Sequence, residues 1–426
     1  MLLCLRIFRA GPSCQSCGIR ELPVLRGTRA ANCSGKGREL LGHADRIATT
    51  HAGSLPRPEE LLSLVMAREA GADVDETELR EQVRTAVEQV ARRQAAAGVD
   101  LLNDGEFDKA AYFTYATERL TGFVEGVSIA EATAWMGVAI RDFPDYAERL
   151  MTVMAPASGI RVRACEGPVS YVGHDPLQAE IATLRAAATA AGTSSAFLSS
   201  ASPGLIAQGA PNRYYATEED YLTALAEAMR TEYEAIHAAG FVLQVDCPDL
   251  AMSAPAFDSV GDFRRHVRMR VEALNYALSG IPAEAVRMHV CWGGGELPRT
   301  TDIELHHIID LLLAAKPAGL MVMAANARHA HEWQVFEEAR LPEGKYLIPG
   351  VIDIGSNVVE HPQVVAQRLV RYADVVGRDN IVAGTDCGFG PVAGMSAVVP
   401  TVVWAKLEAM RDGARIATDR LWGSGD

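Results

Sequence analysis

Apolar positions along this chain switch repeatedly between a helical spacing and short continuous runs. From Glu78 to Ala97, Leu79, Val83, Val87, Val90 and Ala91 form one stripe at helical spacing, with Arg and Glu on the other face. Gly98 stops that helix, and Val99 to Leu102 read as a strand with Asp104, Gly105 and Glu106 at its exit. The same unit recurs. A helix over 176–191 leads to a strand over 196–200, and one over 221–239 to FVLQVDCPD, with Asp246 at its exit. The helix over 262–278 leads to RMHVCWGG (Arg287 to Gly294), and that over 303–315 to AGLMVMAAN. YLIPGVID follows, and the helix over 362–376 leads to DNIVAGTDCG. A short β-branched strand, Ile47 to Thr50, precedes them all and breaks into a Gly-Ser-Leu-Pro turn.

Regular alternation of helix and buried strand predicts a parallel sheet, and about eight units predict an α/β fold closed as a single (β/α)8 TIM barrel. The stretch from Phe107 to Gly159 is too long for an ordinary connection and is expected to be a helical insertion over the C-terminal mouth. Ala164 to Val172 reads as one arm of a hairpin outside the barrel.

Composition sets the ends of the domain. Residues 1–42 carry seven Lys or Arg against two acids, while the whole chain of 426 residues has a formal net charge of −14. This basic start resembles a transit peptide or a start codon assigned too far upstream, and is expected to be disordered and dispensable. Its Cys14–Cys17 pair has no second CxxC to complete a zinc knuckle. The barrel is expected over 43–426. The acidic balance argues against nucleic-acid or anionic-membrane partners, and no apolar run is long enough for a membrane span. A small-molecule partner is expected, in a possible homo-oligomer. Scattered cysteines point to a reducing, cytoplasmic setting.

The polar residues fall at one end of the units. Ser54, Glu106, Asp246, His289, Cys291, Asp353 and Cys387 each lie at or just past a strand's C-terminal end, where barrel enzymes build their sites. Taken singly, Ser54 and Asp353 also fit turn or cap residues. His289 and Cys291, two apart, project to the same side of a strand. Cys387 follows another apolar run and can bring a second sulfur to the same space. One imidazole and two thiolates suit Zn²⁺ with one position open. On spacing alone these cysteines also fit small buried hydrophobes.

As a set, THAGSLPRP, NDGEFDKAAYFTYATERLTGF, LQVDCPDLA, HVCWGG, AANARHAHEW, IPGVIDIGSNVVEHP, AGTDCGFG and WAKLEAMRDGARIATDRLW resemble the catalytic domain of the cobalamin-independent methionine synthase family, from about residue 44 to about residue 422. The resemblance implies a zinc-dependent S-methyltransferase with His289, Cys291 and Cys387 on the metal. Ser54, Glu106 and Asp246 would bind homocysteine, with Glu106 and Asp246 the catalytic carboxylates, and a folate-type methyl donor is implied.

Departures accompany it. Met323 stands where the family has a glutamate ligand, leaving Glu296, His329, His331 or water as substitutes; Gly355 stands where it has a histidine, and Cys247 where it has an acid. The family's N-terminal half and a Trp after Ser202-Pro203-Gly204 have no counterpart here. Two other functions compete: epoxyalkane:coenzyme M transferase-like alkylation, which calls for Arg or Lys on a sulfonate, and a non-catalytic thiol-binding barrel.

Overall fold

The computed structural model describes residues 45–127, 138, 140–154 and 160–423; the basic N-terminal stretch with Cys14 and Cys17 lies outside them. The chain opens with α1 (Glu59–Glu69) and α2 (Glu76–Ala97). The Asp75 carboxylate accepts from the Thr77 and Glu78 N–H groups to cap α2, and Gly98 ends it at φ 84°, a left-handed conformation that costs glycine little.

The segment expected as a helical insertion is mixed. It holds a short 3₁₀ turn, Tyr115–Glu118, then β1 (Phe123–Val127) and α3 (Pro144–Met154), and β2 (Val162–Cys165) follows just past it. β1 and β2 pair antiparallel outside the barrel; of the arm expected over 164–172 only Ala164 and Cys165 belong to the paired strand, with an isolated Leu120–Tyr171 bridge further on. Val127, Val162 and Ala164 pack in a small cluster of their own. Strands this short carry too few alternations to announce themselves in sequence.

The elements that come next are the predicted units, with one short helix, α5, added: α4 (His174–Ala190), β3 (Phe197–Ala201), α5 (Pro203–Gly209), α6 (Glu218–Ala238), β4 (Val242–Asp246), α7 (Val260–Ala277) and β5 (Val286–Val290). After them come α8 (Ile309–Ala314), β6 (Gly319–Val322), α9 (Val335–Glu338), β7 (Tyr346–Ile352), α10 (Pro362–Val376), β8 (Gly384–Thr385) and α11 (Pro400–Trp422). The helix expected over 303–315 is interrupted: a 3₁₀ turn, Leu305–His307, precedes α8.

β3 to β8 form a parallel sheet in sequence order. The segments around Ile47–Thr50 and Val99–Leu102 complete the ring through isolated parallel bridges, Thr49 to Ala383 and Leu102 to Ala196. Asp100 and Leu101 N–H groups donate to the Thr49 carbonyl between them. Two of the eight staves are thus bridge-length, because Asp100 turns aside to take a bidentate pair of bonds from Arg46 and another from the Thr49 N–H.

Most of the core lies between the strands and the helices. A smaller cluster fills the barrel, with Ala48, Leu101, Phe197, Val242, Met321 and Ile348. Arg287 is buried among them, its guanidinium 3.7 Å from the Phe197 ring centroid and donating to Thr50 Oγ1 and the His51 carbonyl. This cation is the floor on which the site rests: Arg287, His289 and Cys291 follow one another up the inner face of the same strand.

Candidate metal centre and cleft

His289 and Cys291 rise from the end of β5, and Cys387 stands just beyond β8. Their donor atoms lie within 4.8 Å of one another, and all three side chains are buried. The three residues named from sequence as metal ligands therefore converge. Asp246, on neighbouring β4 in register with His289, has Oδ1 3.2 Å from His289 Nδ1. Its position is fixed in turn by Gln244, whose Nε2 donates to the same Oδ1 at 2.8 Å. His289 Nε2 is buried with no hydrogen-bond partner. A carboxylate on one ring nitrogen and a free second nitrogen facing two sulfurs is the arrangement of a metal-ligating histidine.

The electrostatics agree with that reading. Burial disfavours a charged His289, but its contacts with Asp246 and Cys291 outweigh burial and raise it to about 10. A hydrogen bond from the Cys387 thiol, with the nearby His289, pulls Cys291 well below the usual thiol range. The same contact and burial push Cys387 up. The trio shares its protons internally and holds the thiolate character a soft cation takes up.

The cluster opens into a cleft of about 420 Å³ lined by Ser54, Glu106, Tyr112, Asp246, Pro248, Gly293, Gly294 and Pro391 beside the three donors. Ser54 packs on the turn after Cys387: its Oγ accepts from the Gly390 N–H, and a Cβ on Gly388 would lie 2.1 Å from that oxygen. Glu106 adopts φ 58°, and a Cβ on Gly53 would meet its Oε1 at 2.3 Å, so the backbone at 53 must be glycine for the carboxylate to pass. Ser199 Oγ donates to Oε1 at 2.6 Å. Burial raises Glu106 to about 7, opposed by Lys109 and reinforced by Asp246. Arg57 donates to the Glu106, Lys109 and Gly390 carbonyls, tying the first, second and eighth loops.

Other sequence expectations resolve differently. Met323 is buried, with Sδ accepting from the Trp292 N–H at 3.4 Å, directly behind Cys291. No substitute for the family's glutamate joins the cluster among the described residues. Glu296 pairs with Arg149 on α3 at the surface, His329 is held between Asp302 and Glu332 at 2.9 Å each, and His331 is exposed. Asp353 serves as a turn residue, its Oδ1 accepting from the Gly355 N–H. Another grouping of donors, Glu304, His306 and His307, lies on the surface. Sequence reading overlooked Tyr112, Gln244 and Ser199. The signal for the last two was their parity, since each is two positions along a strand from a barrel-facing residue, Val242 or Phe197.

A profile of the cobalamin-independent synthase catalytic domain matches residues 47–164 and 204–415, most of the chain. The chain belongs to that family. A methionine synthase of Saccharolobus islandicus is 24% identical over 378 residues, spanning 88% of this chain and 96% of its own. A methionine synthase of Sulfurisphaera tokodaii is 24% identical over 385 residues, 89% and 95% of the two chains. In fold, the chain resembles the B12-independent methionine synthase of Shewanella sp. W3-18-1 in complex with selenomethionine, at TM-score 0.66 and 22% identity over 89% of this chain and all of that one. A putative vitamin-B12-independent methionine synthase of Listeria monocytogenes gives 0.60 at 17% identity, over 89% and 100%. No helix among the described residues is long and apolar enough to cross a membrane.

Proposed function

We propose that this synthase is a zinc-dependent methyltransferase that methylates the sulfur of homocysteine, with Zn²⁺ on His289, Cys291 and Cys387. The observation that carries the reading is the convergence of three buried N and S donors, one of them an orphaned imidazole nitrogen, with two carboxylates facing the same cleft. Bound there, zinc lowers the pKa of an incoming thiol so that sulfur is nucleophilic near neutral pH.

The chain's own side chains do the rest. Glu106 and Asp246 face the cleft as partners for the acceptor's ammonium group, with Ser54 beside them. Asp246 also holds the His289 ring through Nδ1. Tyr112 and Pro248 wall the space and exclude water, which strengthens each charge interaction inside. The lining contains no Lys or Arg, which speaks against the sulfonate of coenzyme M. The four cysteines among the described residues are free and buried, which supports the reducing, cytoplasmic setting.

Metal analysis and X-ray absorption test the proposal. Stoichiometric zinc is expected, gaining one sulfur neighbour with homocysteine and none with coenzyme M, and Cys387→Ala is expected to lose the metal yet keep its native circular dichroism. Protein that binds no zinc, or a Cys387→Ala variant that keeps it, overturns the assignment; a sulfur gained only from coenzyme M transfers it to the epoxide-type reaction.

A further inference from the structure

Asp386 immediately precedes the Cys387 ligand, yet its fully buried carboxylate does not line the cleft. It reaches across β7 to the exit of β6. Oδ1 accepts from the N–H groups of Ala324 (2.8 Å) and Ala325 (2.9 Å), and Oδ2 from that of Asn326 (2.7 Å). Three consecutive backbone donors converging on one anion make a nest, and without the anion they would be left unsatisfied next to the core. The crossing is possible because β7 has glycine at 350: a Cβ there would lie 2.2 Å from Asp386 Oδ1. On the far side, Arg368 donates to the Val351 and Ala325 carbonyls, bridging β7 and the exit of β6 from the helix side.

The residue just before the nest is Met323, whose sulfur takes the Trp292 N–H, next in chain to Cys291. A continuous set of contacts therefore runs from the backbone of one cysteine to that of the other. We propose that Asp386 is a positioning residue that holds Cys387, just past β8, and Cys291, just past β5, within reach of a single ion, by pinning the end of β8 to the end of β6. This rests on the reading of His289, Cys291 and Cys387 as the metal site, but the geometry it claims is a property of the metal-free chain as well.

An amide cannot replace this carboxylate. Asn has one acceptor oxygen for three donors and would turn an NH₂ group against at least one of them. The test uses Asp386→Asn in the full-length chain, with Cys14→Ser and Cys17→Ser removing the other closely spaced thiol pair. Gly350→Ala, whose Cβ crowds the same carboxylate and, at 2.6 Å, the Asp386 Cα without removing the charge, is measured alongside. Zinc affinity is read by chelator competition. Thiol placement is read in metal-free protein with phenylarsine oxide, which bridges two sulfurs only when they are close, the adduct being mapped by peptide mass spectrometry.

Both variants are expected to keep native near-ultraviolet circular dichroism, to bind zinc about 10–100-fold more weakly, as loss of an outer-shell partner does, and to form the Cys291–Cys387 arsenical adduct at least about tenfold more slowly, the same placement effect read on sulfur. A folded variant with parental zinc affinity and parental adduct formation overturns the proposal, since a residue that only adds stability would leave both unchanged. If Asp386→Asn does not fold, Gly350→Ala decides by the same two readings. Should the parent take up the arsenical but no zinc while the variants lose the adduct, the positioning role stands and the metal assignment fails.

Discussion

Replacing Glu106 by Gln isolates the part of the cleft that selects an amino acid. The substitution keeps the shape of the side chain and keeps an oxygen for the 2.6 Å bond from Ser199 Oγ, so the loop held by Arg57 should not move. What disappears is one negative charge in a buried site facing the acceptor's ammonium group. A hydrogen bond to a charged partner is worth about 1.5–3 kcal/mol, and at about 1.4 kcal/mol per tenfold that is a loss of about 10–150-fold in homocysteine affinity. The assay compares homocysteine with 4-mercaptobutyrate, which has the same thiol and carboxylate but no amine.

The parent should prefer homocysteine by roughly that factor, and Glu106→Gln should abolish the preference while leaving 4-mercaptobutyrate binding nearly unchanged. The pH dependence supplies a second readout. Burial, with Asp246 adding to it and Lys109 opposing, raises Glu106 to about 7, so its charge is present above that pH and lost below it. The preference should grow as pH rises through about 7 in the parent and stay flat in the variant; the zinc-linked thiol cancels in the ratio. Equal weakening of both acceptors, or an undiminished preference in Glu106→Gln, would refute the role assigned to this carboxylate.

Met323→Glu should add an oxygen donor beside Cys291, because Met323 follows the register pair of Val290 with Val322; zinc should then resist stronger chelators, with a new light-atom neighbour in X-ray absorption, and unchanged zinc spectra would remove Met323 from the site's surroundings. His329 lies behind Trp292, 4.7 Å between ring centroids; burial alone would lower its pKa, but Asp302 and Glu332 raise it to about 9. A raised value stabilises the fold fully below the usual pH of about 6.5 and is lost as pH climbs to about 9, on the order of 3 kcal/mol in all. Urea midpoints should fall over that interval in the parent and less in His329→Gln; parallel profiles would show that the imidazole is neutral in the folded chain.

Much of this site was readable before any coordinates. A ligand pair two apart on a strand must share a face, so His289 and Cys291 were bound to act together. The helices from Glu76, Glu218 and Val260 were legible because each has a side-chain cap at its start and an unbroken apolar stripe. The two staves at 47–50 and 99–102 were weaker as strands than their sequences suggest, since side-chain bonds to Asp100 compete there with the ladder. The insertion reads as helical because β1, its one strand among the described residues, is short and largely exposed, with no buried alternation to mark it.

By itself the amino-acid order determined the alternation of elements, hence the barrel, and the end of it at which polar groups collect, because periodicity is a local property of the chain. That the sulfur of Cys387 meets that of Cys291, that Asp386 crosses a glycine to hold them there, and that none of Glu296, His329 and His331 reaches the cluster, was decided only by tertiary structure. Those relations join residues from 27 to 147 positions apart, and their distances depend on strand register and on competing partners, which no local pattern encodes.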